Sequence, residues 1–423
     1  MLRCQVSSSF LGIVFTARCG FSKRSWPYVV ACAVPWLLCA GQRCVSRLAE
    51  MKLHRRSFSG YYRFLSDGKW RLQVLFFSLF DLIVREFQVT KLCLVLDDTL
   101  CPKWGRKIFG TGNFFDHVKR PRPGCIWGHN WVVLAVVVPI GNFCWVALPF
   151  WIAIYRPKKA CPAKKFRTRH QLAAEALAAV REHFPGEIVL LADGAYNNDS
   201  IVGPAKKLAI ELVSRMRANV QLRRPKPPRQ RKGKRGRKPK WGTFLPKLSV
   251  MARARRSFRT ECVGIYGKTV KLNLREIVAY WPPLDRVVKV VISRDLKNRR
   301  RIAYLMTTDL NMTAVEVVEF FARRWTIEQL FSVAKGQLGL DSAEVRKERS
   351  VVRHAALCMA LLTWVEVWAH RCCPKLRERS FANKLAELRS DSVAQTIFSS
   401  GPRSNRALAV SIGSLYAAAT AVA

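Results

Sequence analysis

Acidic residues are scarce in this 423-residue sequence, in which 28 Asp and Glu stand against 73 Lys and Arg and the formal net charge is +45. The excess of basic residues is spread along the chain and is not confined to a terminal tail. A globular protein with this charge needs a polyanion as its partner. Nucleic acid is favoured because each neutralised phosphate releases counterions, and an anionic membrane surface is the alternative.

Pairs of metal-binding residues at short spacing are also lacking. The 14 Cys include no Cys-x-x-Cys pair, so the sequence supports neither a zinc ribbon nor a thioredoxin-type redox motif. No second His or Cys stands at ligand spacing from His117 or His129, and we expect both histidines to be structural. Because no Cys-x-x-Cys pair is found, we expect buried thiols in a reducing cytosol. Half of the residues are hydrophobic, which predicts a globular chain.

One run of 24 residues, from Trp131 to Ile154, contains no charge and is long enough to cross a membrane as a helix. Pro139, Gly141 and Asn142 lie at its middle as turn formers, and the first half is rich in β-branched valine. Strands that are covered on both faces read as continuous apolar runs. The run therefore predicts two buried, adjacent antiparallel strands joined by a tight turn.

A second apolar stretch, 27–41, is too short for a confident span and resembles a poorly formed signal peptide. The character of the sequence changes near His54, so residues 1–53 are interpreted as an N-terminal extension of unknown role. The remaining boundaries follow from composition and periodicity. They are a helical DNA-binding region (54–90), a first core part (91–222), a basic linker with a β-rich insertion (223–312), the last core helices (313–372) and a tail (373–423).

Strands and helices alternate along the core. Short apolar strands are predicted over 92–96 and 188–192, and helices are predicted over 171–183 and 200–207, before a further strand over 208–214. Residues 223–240 hold 11 basic residues, four Pro, two Gly and no acid, which is typical of a solvated linker. Four alternating segments between 257 and 307 then predict a small antiparallel sheet, and helical periodicity returns over 313–335 and 350–370. The order is that of an α/β fold with an RNase H-like core interrupted before its last helices.

Two aspartates follow directly on predicted strands. Asp97 comes after Leu92–Leu96, and Asp193 comes after Ile188–Ala192. Cleavage of a phosphodiester bond in line needs metal ions on the attacking and leaving oxygens, and magnesium prefers carboxylate ligands. Because an Asp after a strand is commonly a turn or helix cap, each residue alone is weak support for such a site.

A third carboxylate stands in a more specific pattern. With about 100 degrees per residue on a helix, Glu328, Lys335 and Phe321 fall within roughly 60 degrees of Arg324. One helix face would then carry a carboxylate between two cations. An ordinary Arg324–Glu328 salt bridge on a solvated surface is the alternative interpretation. Apolar bulk on the same helix favours cations that hold DNA phosphates beside a metal site.

These motifs resemble those of a large group of bacterial insertion-sequence transposases with a DDE active site. Arg324, Glu328 and Lys335 match the Tyr-x-x-Arg-x-x-x-Glu-x-x-x-x-x-x-Lys motif of that group, and Phe321 stands where the group has Tyr. Leu96-Asp97-Asp98-Thr99 resembles its first acidic motif, and the segment from Leu191 to Tyr196 resembles its second. The group also carries a β-rich insertion between the second Asp and the Glu. Alternation leaves open whether Asp97 or Asp98 is the ligand, and the motif position favours Asp97.

The resemblance implies a DNA transposase with an RNase H-like core that cuts the ends of its own element and joins them to a target. Asp97, Asp193 and Glu328 would be the catalytic metal ligands, with Mg²⁺ as the ion and Mn²⁺ as a substitute. DNA would be the partner, the synaptic complex would contain a homodimer, and the enzyme would act in the bacterial cytoplasm at the nucleoid, with no membrane. Two alternatives remain at this point, namely an inactive DNA-binding remnant and a basic membrane protein.

Further DNA contacts are expected outside the three motifs. The run from Lys234 to Pro239 resembles the core of a minor-groove AT-hook, with Arg235 and Arg237 as its reading residues, although a basic linker gives similar text. Trp281 resembles in its context the Trp that stacks a flipped base in related transposases, and a packed sheet residue is the equal alternative.

Overall fold

The structure, a computed structural model, describes residues 7–39, 43–50, 57–116, 124–225, 241–254, 257–298 and 301–399. His117 and the AT-hook-like run with Arg235 and Arg237 lie outside these ranges.

One mixed sheet forms the centre of the described molecule. Its ten strands are β1 (Leu92–Pro102), β2 (Gly112–Phe115), β3 (Cys125–Gly141), β4 (Cys144–Tyr155), β5 (Ile188–Ala192), β6 (Ile210–Arg215), β7 (Arg259–Ile265), β8 (Lys268–Trp281), β9 (Arg286–Asp295) and β10 (Ile302–Thr307). Leu92–Leu96 and all five residues of β5 are buried, which explains why these segments read as uninterrupted apolar runs.

The strand order confirms the RNase H-like α/β core. β3 pairs antiparallel with both β1 and β4, while β1, β5 and β6 run parallel to one another. The strands of the predicted insertion are antiparallel, as expected. They do not form a sheet of their own, because β10 pairs with β6 and carries β9, β8 and β7 onto the same sheet.

The uncharged run at 131–154 lies in the hairpin of β3 and β4, so the prediction of two adjacent antiparallel strands is confirmed. The register runs from Asn130 opposite Tyr155 to Gly141 opposite Cys144, with irregularities beside Pro149 and Pro139. Phe143 closes the turn with a φ of 54°, in the left-handed region.

Helices cover the sheet on both sides. They are α1 (Ser8–Phe15), α2 (Trp26–Leu38), α3 (Val45–Glu50), α4 (Phe58–Ser66), α5 (Leu72–Glu86), α6 (Arg169–His183), α7 (Asp199–Lys207), α8 (Leu248–Met251), α9 (Ala314–Arg323), α10 (Thr326–Gly336), α11 (Glu348–Cys372) and α12 (Phe381–Ser399). Capping boxes begin two of them, with Thr168 and Gln171 at α6 and Thr313 and Glu316 at α9. The single helix predicted over 313–335 is two helices, because the α-helical hydrogen bonding is interrupted between α9 and α10.

α11 is the central helix of the core. It is the one described helix long and apolar enough to cross a membrane, yet 94% of its most apolar 18-residue window is buried inside the protein. A helix that is apolar all round is typical of the centre of a large domain as well as of a membrane span. Its burial by the β3–β4 hairpin and the neighbouring helices accounts for its composition.

The N-terminal helices belong to the same core. Phe10, Ile13 and Val14 of α1 are fully buried, and the indole Nε1 of Trp36 in α2 donates a hydrogen bond of 2.8 Å to the Leu338 carbonyl. The sequence predicts an extension over residues 1–53, but their described part packs against the elements that follow α10. The same holds for α5 in the predicted DNA-binding region, because its apolar face packs on β4 and α11.

Candidate active site

The two aspartates of the acidic motifs stand next to each other on the sheet. Leu96 of β1 is the register partner of Ala192 at the end of the parallel strand β5, so Asp97 and Asp193 each follow a residue of the same pair. β5 ends at Ala192, whereas β1 continues past Asp97 to Pro102 through its pairing with β3, which extends the predicted strand of Leu92–Leu96 and holds the backbone of Asp97 rigidly. The carboxylate of Asp193 lies close enough to raise the pKa of Asp97.

The third carboxylate comes from the break between α9 and α10. Backbone bonds of the i to i−3 type join Arg324 to Phe321, Ile327 to Arg324 and Glu328 to Trp325, which tightens this stretch into a 3₁₀-like turn. The turn places Glu328 in the first turn of α10 and Arg324 directly before that helix. Arg324 and Glu328 still face each other, as the helical wheel predicts, although the helix is not continuous.

Arg324 joins two of the predicted metal ligands. Its Nη1 donates a hydrogen bond of 3.0 Å to Oδ2 of Asp97, and its Nη2 donates one of 2.5 Å to Oε1 of Glu328. The side chains of Asp97, Arg324 and Glu328 are 22%, 15% and 36% exposed, so the group is neither closed off nor on a free surface. One guanidinium therefore holds Asp97 and Glu328 at the same place, and the Arg324–Glu328 salt bridge of the alternative interpretation is present.

The pKa of the Asp97 carboxyl is higher than that of an ordinary aspartate. Burial raises its pKa from 3.8 to about 7, and the carboxylates of Asp98 and Asp193 add to the increase. The backbone amide of Asp98, 2.8 Å from Oδ1, and the charge of Arg324 act in the opposite direction. Burial makes the ionised form of this carboxyl unfavourable, and a cation close to it stabilises that form.

Asp98 points away from this group and has its own partners. The Tyr196 hydroxyl donates to Oδ1 at 2.9 Å, while Asn130 Nδ2 and Arg169 Nη1 donate to Oδ2 at 3.0 and 2.8 Å. Successive residues of a strand face opposite sides, which separates the two neighbours. The side of the sheet that Arg324 and Glu328 approach is therefore the side of Asp97, the aspartate that the motif position favours as the ligand.

The donor set suits a hard divalent cation in its chemistry, since all three predicted ligands are carboxylates. In the part of the chain that the structure describes, no three His, Cys, Asp or Glu side chains converge closely enough to hold a metal ion. The Arg324 guanidinium supplies the positive charge between Asp97 and Glu328. Metal binding would require this guanidinium to turn away from Asp97.

The other predicted DNA contacts lie in different surroundings. Lys335 is half-buried on α10, two turns beyond Glu328, and its charge acts on Cys101 of β1. The ring of half-buried Phe321 has its centre 6.0 Å from Cζ of Arg324. Trp281 is only 7% exposed at the end of β8, opposite Arg286 of β9, so its burial favours the packed sheet residue over a base-stacking platform. His129 is structural, as expected, because it is buried with Nε2 2.9 Å from the Phe109 carbonyl oxygen.

Three residues beside the site did not emerge from the sequence as functional. Tyr196 and Arg169 hold Asp98, and Tyr196 could have been found because it belongs to the second acidic motif. Tyr266 lies at the turn between β7 and β8, where it is 62% exposed and close enough for the charges of Arg324 and Glu328 to act on its phenol. No local pattern marks Arg169 or Tyr266, because only the folded sheet brings them here.

Comparison with known families agrees with this geometry. A family model described as "DDE superfamily endonuclease" matches residues 19–267, which is more than half of the chain. The match includes Asp97 and Asp193 and ends before Glu328, while a search of individually curated proteins finds no match. A mixed RNase H-like sheet, two neighbouring aspartates on adjacent parallel strands and a match of this length lead to one assignment: the chain belongs to the DDE superfamily endonuclease family.

Proposed function

We propose that this endonuclease is a transposase that cuts DNA at the ends of an insertion sequence and joins those ends to a target. The observation that carries the proposal is the placement of Glu328 against Asp97 through one shared guanidinium, with the charge of Asp193 close enough to act on Asp97. The match to the Arg-x-x-x-Glu-x-x-x-x-x-x-Lys motif in this segment supports the insertion-sequence subtype.

Asp97, Asp193 and Glu328 would hold Mg²⁺, or Mn²⁺ in its place. The bound ions would supply Lewis-acid stabilisation of the attacking and leaving oxygens of the scissile phosphate. Asp97 must be ionised to take part, and a divalent cation beside it would favour the ionised carboxylate over the protonated form that burial favours without metal. Arg324, once released from Asp97, could bind a phosphate oxygen through the nitrogen that now serves the carboxylate.

The net charge of +45 supports DNA as the polyanion that the protein binds. Lys335 and Phe321 flank the carboxylates along the α9–α10 segment and are proposed to contact the DNA backbone beside the cleavage point. Two element ends must be held together for transposition, so a homodimer is proposed for the synaptic complex. We place the enzyme in the bacterial cytoplasm, bound to the nucleoid.

The neighbouring pair Asp97 and Asp98 offers a matched test. Asp97→Asn removes a proposed metal ligand, whereas Asp98→Asn removes the same charge one residue away, on the side of Tyr196 and Arg169. With end DNA and Mg²⁺, we expect Asp97→Asn to lose cleavage by about 1000-fold or more and Asp98→Asn to stay within about tenfold of the parent. Gel shifts should show that both variants bind the DNA.

The result also separates the alternatives. A parent protein that binds end DNA and cleaves nothing in Mg²⁺ or Mn²⁺ would be the inactive remnant. A parent that needs detergent to stay in solution and binds no DNA would be the basic membrane protein. Equal loss in Asp97→Asn and Asp98→Asn would contradict the assignment of the ligand.

A further inference from the structure

The most exposed large aromatic side chain among the described residues is Trp104, at 96%. It stands in the loop after β1, where Lys103 precedes it and Arg106 and Lys107 follow. A single exposed apolar residue is ordinary on a protein surface, so the cations and grooves around this indole carry more weight than its exposure alone.

The loop that carries Trp104 is anchored from below. Lys103 is buried, and its Nζ donates to the carbonyl oxygens of Asp341 and Ala343 at 2.6 and 3.2 Å. Trp127 Nε1 donates to the Gly105 carbonyl at 3.2 Å, and the amide of Phe109 donates to the Arg346 carbonyl at 2.9 Å. The indole of Trp104 is therefore presented outward by a loop whose own backbone is tied to the protein.

We call residues 102–108 and 341–347 together the Trp104 platform. Its exposed cations are Arg106, Lys107, Arg346 and Lys347, and Trp104 lines two open grooves of 760 and 800 Å³. Two acids, Asp341 and Glu344, offset part of this charge, and Glu344 accepts a hydrogen bond from the Ser46 hydroxyl. Cations around a projecting aromatic ring are the combination that binds single-stranded nucleic acid, since they hold phosphates while the ring stacks on a base.

The platform continues the site along β1. Trp104 lies seven positions beyond Asp97, a span of about 23 Å if the backbone stays extended. Lys335, whose charge acts on Cys101, lies beside the part of β1 between them. A DNA strand held at the carboxylates could thus pass Lys335 and reach Trp104.

From these observations we propose that the Trp104 platform binds unpaired DNA, with the indole stacked on a base and the cations on the flanking phosphates. Unpaired bases fit better than a duplex, because the base faces inside a duplex are already covered by their neighbours. The inference rests on the proposed function in that DNA is the polymer held at the carboxylates. It extends that function to the strand that becomes unpaired on one side of the cut.

Binding without metal tests the platform separately from cleavage. Fluorescence anisotropy would measure the affinity of the full chain, in EDTA, for a 20-nucleotide oligo(dT) strand and for a 20-base-pair duplex. We expect Trp104→Ala to weaken binding to the single strand by about 5- to 100-fold, and to change binding to the duplex less than twofold. Trp104→Phe, which keeps an aromatic ring, should restore most of the affinity.

Two further variants complete the test. The double variant Arg106→Gln with Lys107→Gln should lower the slope of log affinity against log salt by about 0.7 for each phosphate that the protein no longer neutralises. Phe15→Ala removes an exposed aromatic side chain of α1, outside the platform, and should leave oligo(dT) binding unchanged. Thermal melting of each variant would show that it is folded, which is expected because the changed side chains are exposed.

The proposal would be overturned if Trp104→Ala bound oligo(dT) within twofold of the parent, or if it weakened the duplex as much as the single strand. The proposal would also be overturned if Trp104→Ala lost the parent's binding to vesicles with 30% anionic lipid and kept its binding to DNA. That result would identify the indole as a membrane contact. Cleavage by Asp97→Asn reports on the carboxylates alone. The platform and the proposed active site can therefore fail independently.

Discussion

Two groups of carboxylates and cations in this protein have similar contacts and opposite surroundings. Between α11 and α12, Lys384 Nζ lies 2.7 Å from Glu366 Oε2, and the two side chains are only 2% and 6% exposed. At the helix break, Arg324 binds Asp97 and Glu328 while all three side chains keep access to solvent. The first pair is closed to solvent, and its contact ties α12 to α11. The second group is open to solvent, which a metal site requires.

The largest expected effect is on catalysis at the open group. Glu328→Gln keeps the size of the side chain and removes its charge, so cleavage of end DNA should fall by about 1000-fold or more while binding stays nearly unchanged. Cleavage and gel-shift assays on the same DNA in Mg²⁺ measure both. Glu348→Gln, in the exposed first turn of α11, is the matched control and should cleave as the parent does. If Glu328→Gln cleaves at the parental rate, Arg324 and Glu328 form an ordinary salt bridge.

Substitutions in the closed pair should change the stability of the fold and not the rate of DNA cleavage. Glu366→Ala leaves Lys384 buried without its carboxylate, which should cost roughly 3–5 kcal/mol in the free energy of unfolding by urea. The double variant Glu366→Leu with Lys384→Met removes both charges and should lie within about 1 kcal/mol of the parent, or above it. A single variant that costs less than about 1 kcal/mol would show that the pair is not closed.

The raised pKa of Asp97 gives the open group a dependence on pH. Because the folded protein binds this proton more tightly than the unfolded chain does, Asp97 lowers stability as pH rises from about 4 to about 7, and the loss persists above pH 7. In EDTA, Asp97→Asn should therefore melt about 3 °C above the parent at pH 8 and close to it at pH 4. Mg²⁺ should then raise the melting temperature of the parent alone. A variant that melts below the parent at pH 8 would contradict the assigned burial of the charge.

The smallest effect concerns a single phosphate contact. Lys335→Ala should weaken binding to end DNA and lower the salt dependence by about one unit of slope. Lys297→Ala removes an equal charge from the exposed turn between β9 and β10 and should leave the slope unchanged. Equal slopes for the parent and Lys335→Ala would place Lys335 outside the DNA contact.

Local patterns in the sequence are sufficient for most elements of the core. Pro139, Gly141 and Asn142 distinguish a hairpin from a membrane helix, and the strand that ends before Asp193 is predicted to the residue. The break at Arg324 is not predicted, because one turn of 3₁₀ type leaves the i to i+4 spacing nearly unchanged. A helical wheel therefore gives the right neighbours on a helix that is not continuous.

Long-range pairing is beyond the reach of such patterns. The continuation of the sheet depends on β6 and β10, which are separated by nearly 90 residues and pair at Leu305 and Arg215. Trp281 could face either side of its strand by alternation, and only the folded sheet shows it buried. The apolar α2 falls within the predicted N-terminal extension, although its composition is that of a core helix.

The most direct test of the central claim is the position of Mn²⁺ in crystals of the protein soaked in MnCl₂, read from anomalous scattering. The account predicts a metal peak within coordination distance of both Asp97 and Asp193, with Glu328 as a further ligand and the Arg324 guanidinium turned away from Asp97. A map with Arg324 still between Asp97 and Glu328, and with no peak shared by the two aspartates at saturating Mn²⁺, would contradict it.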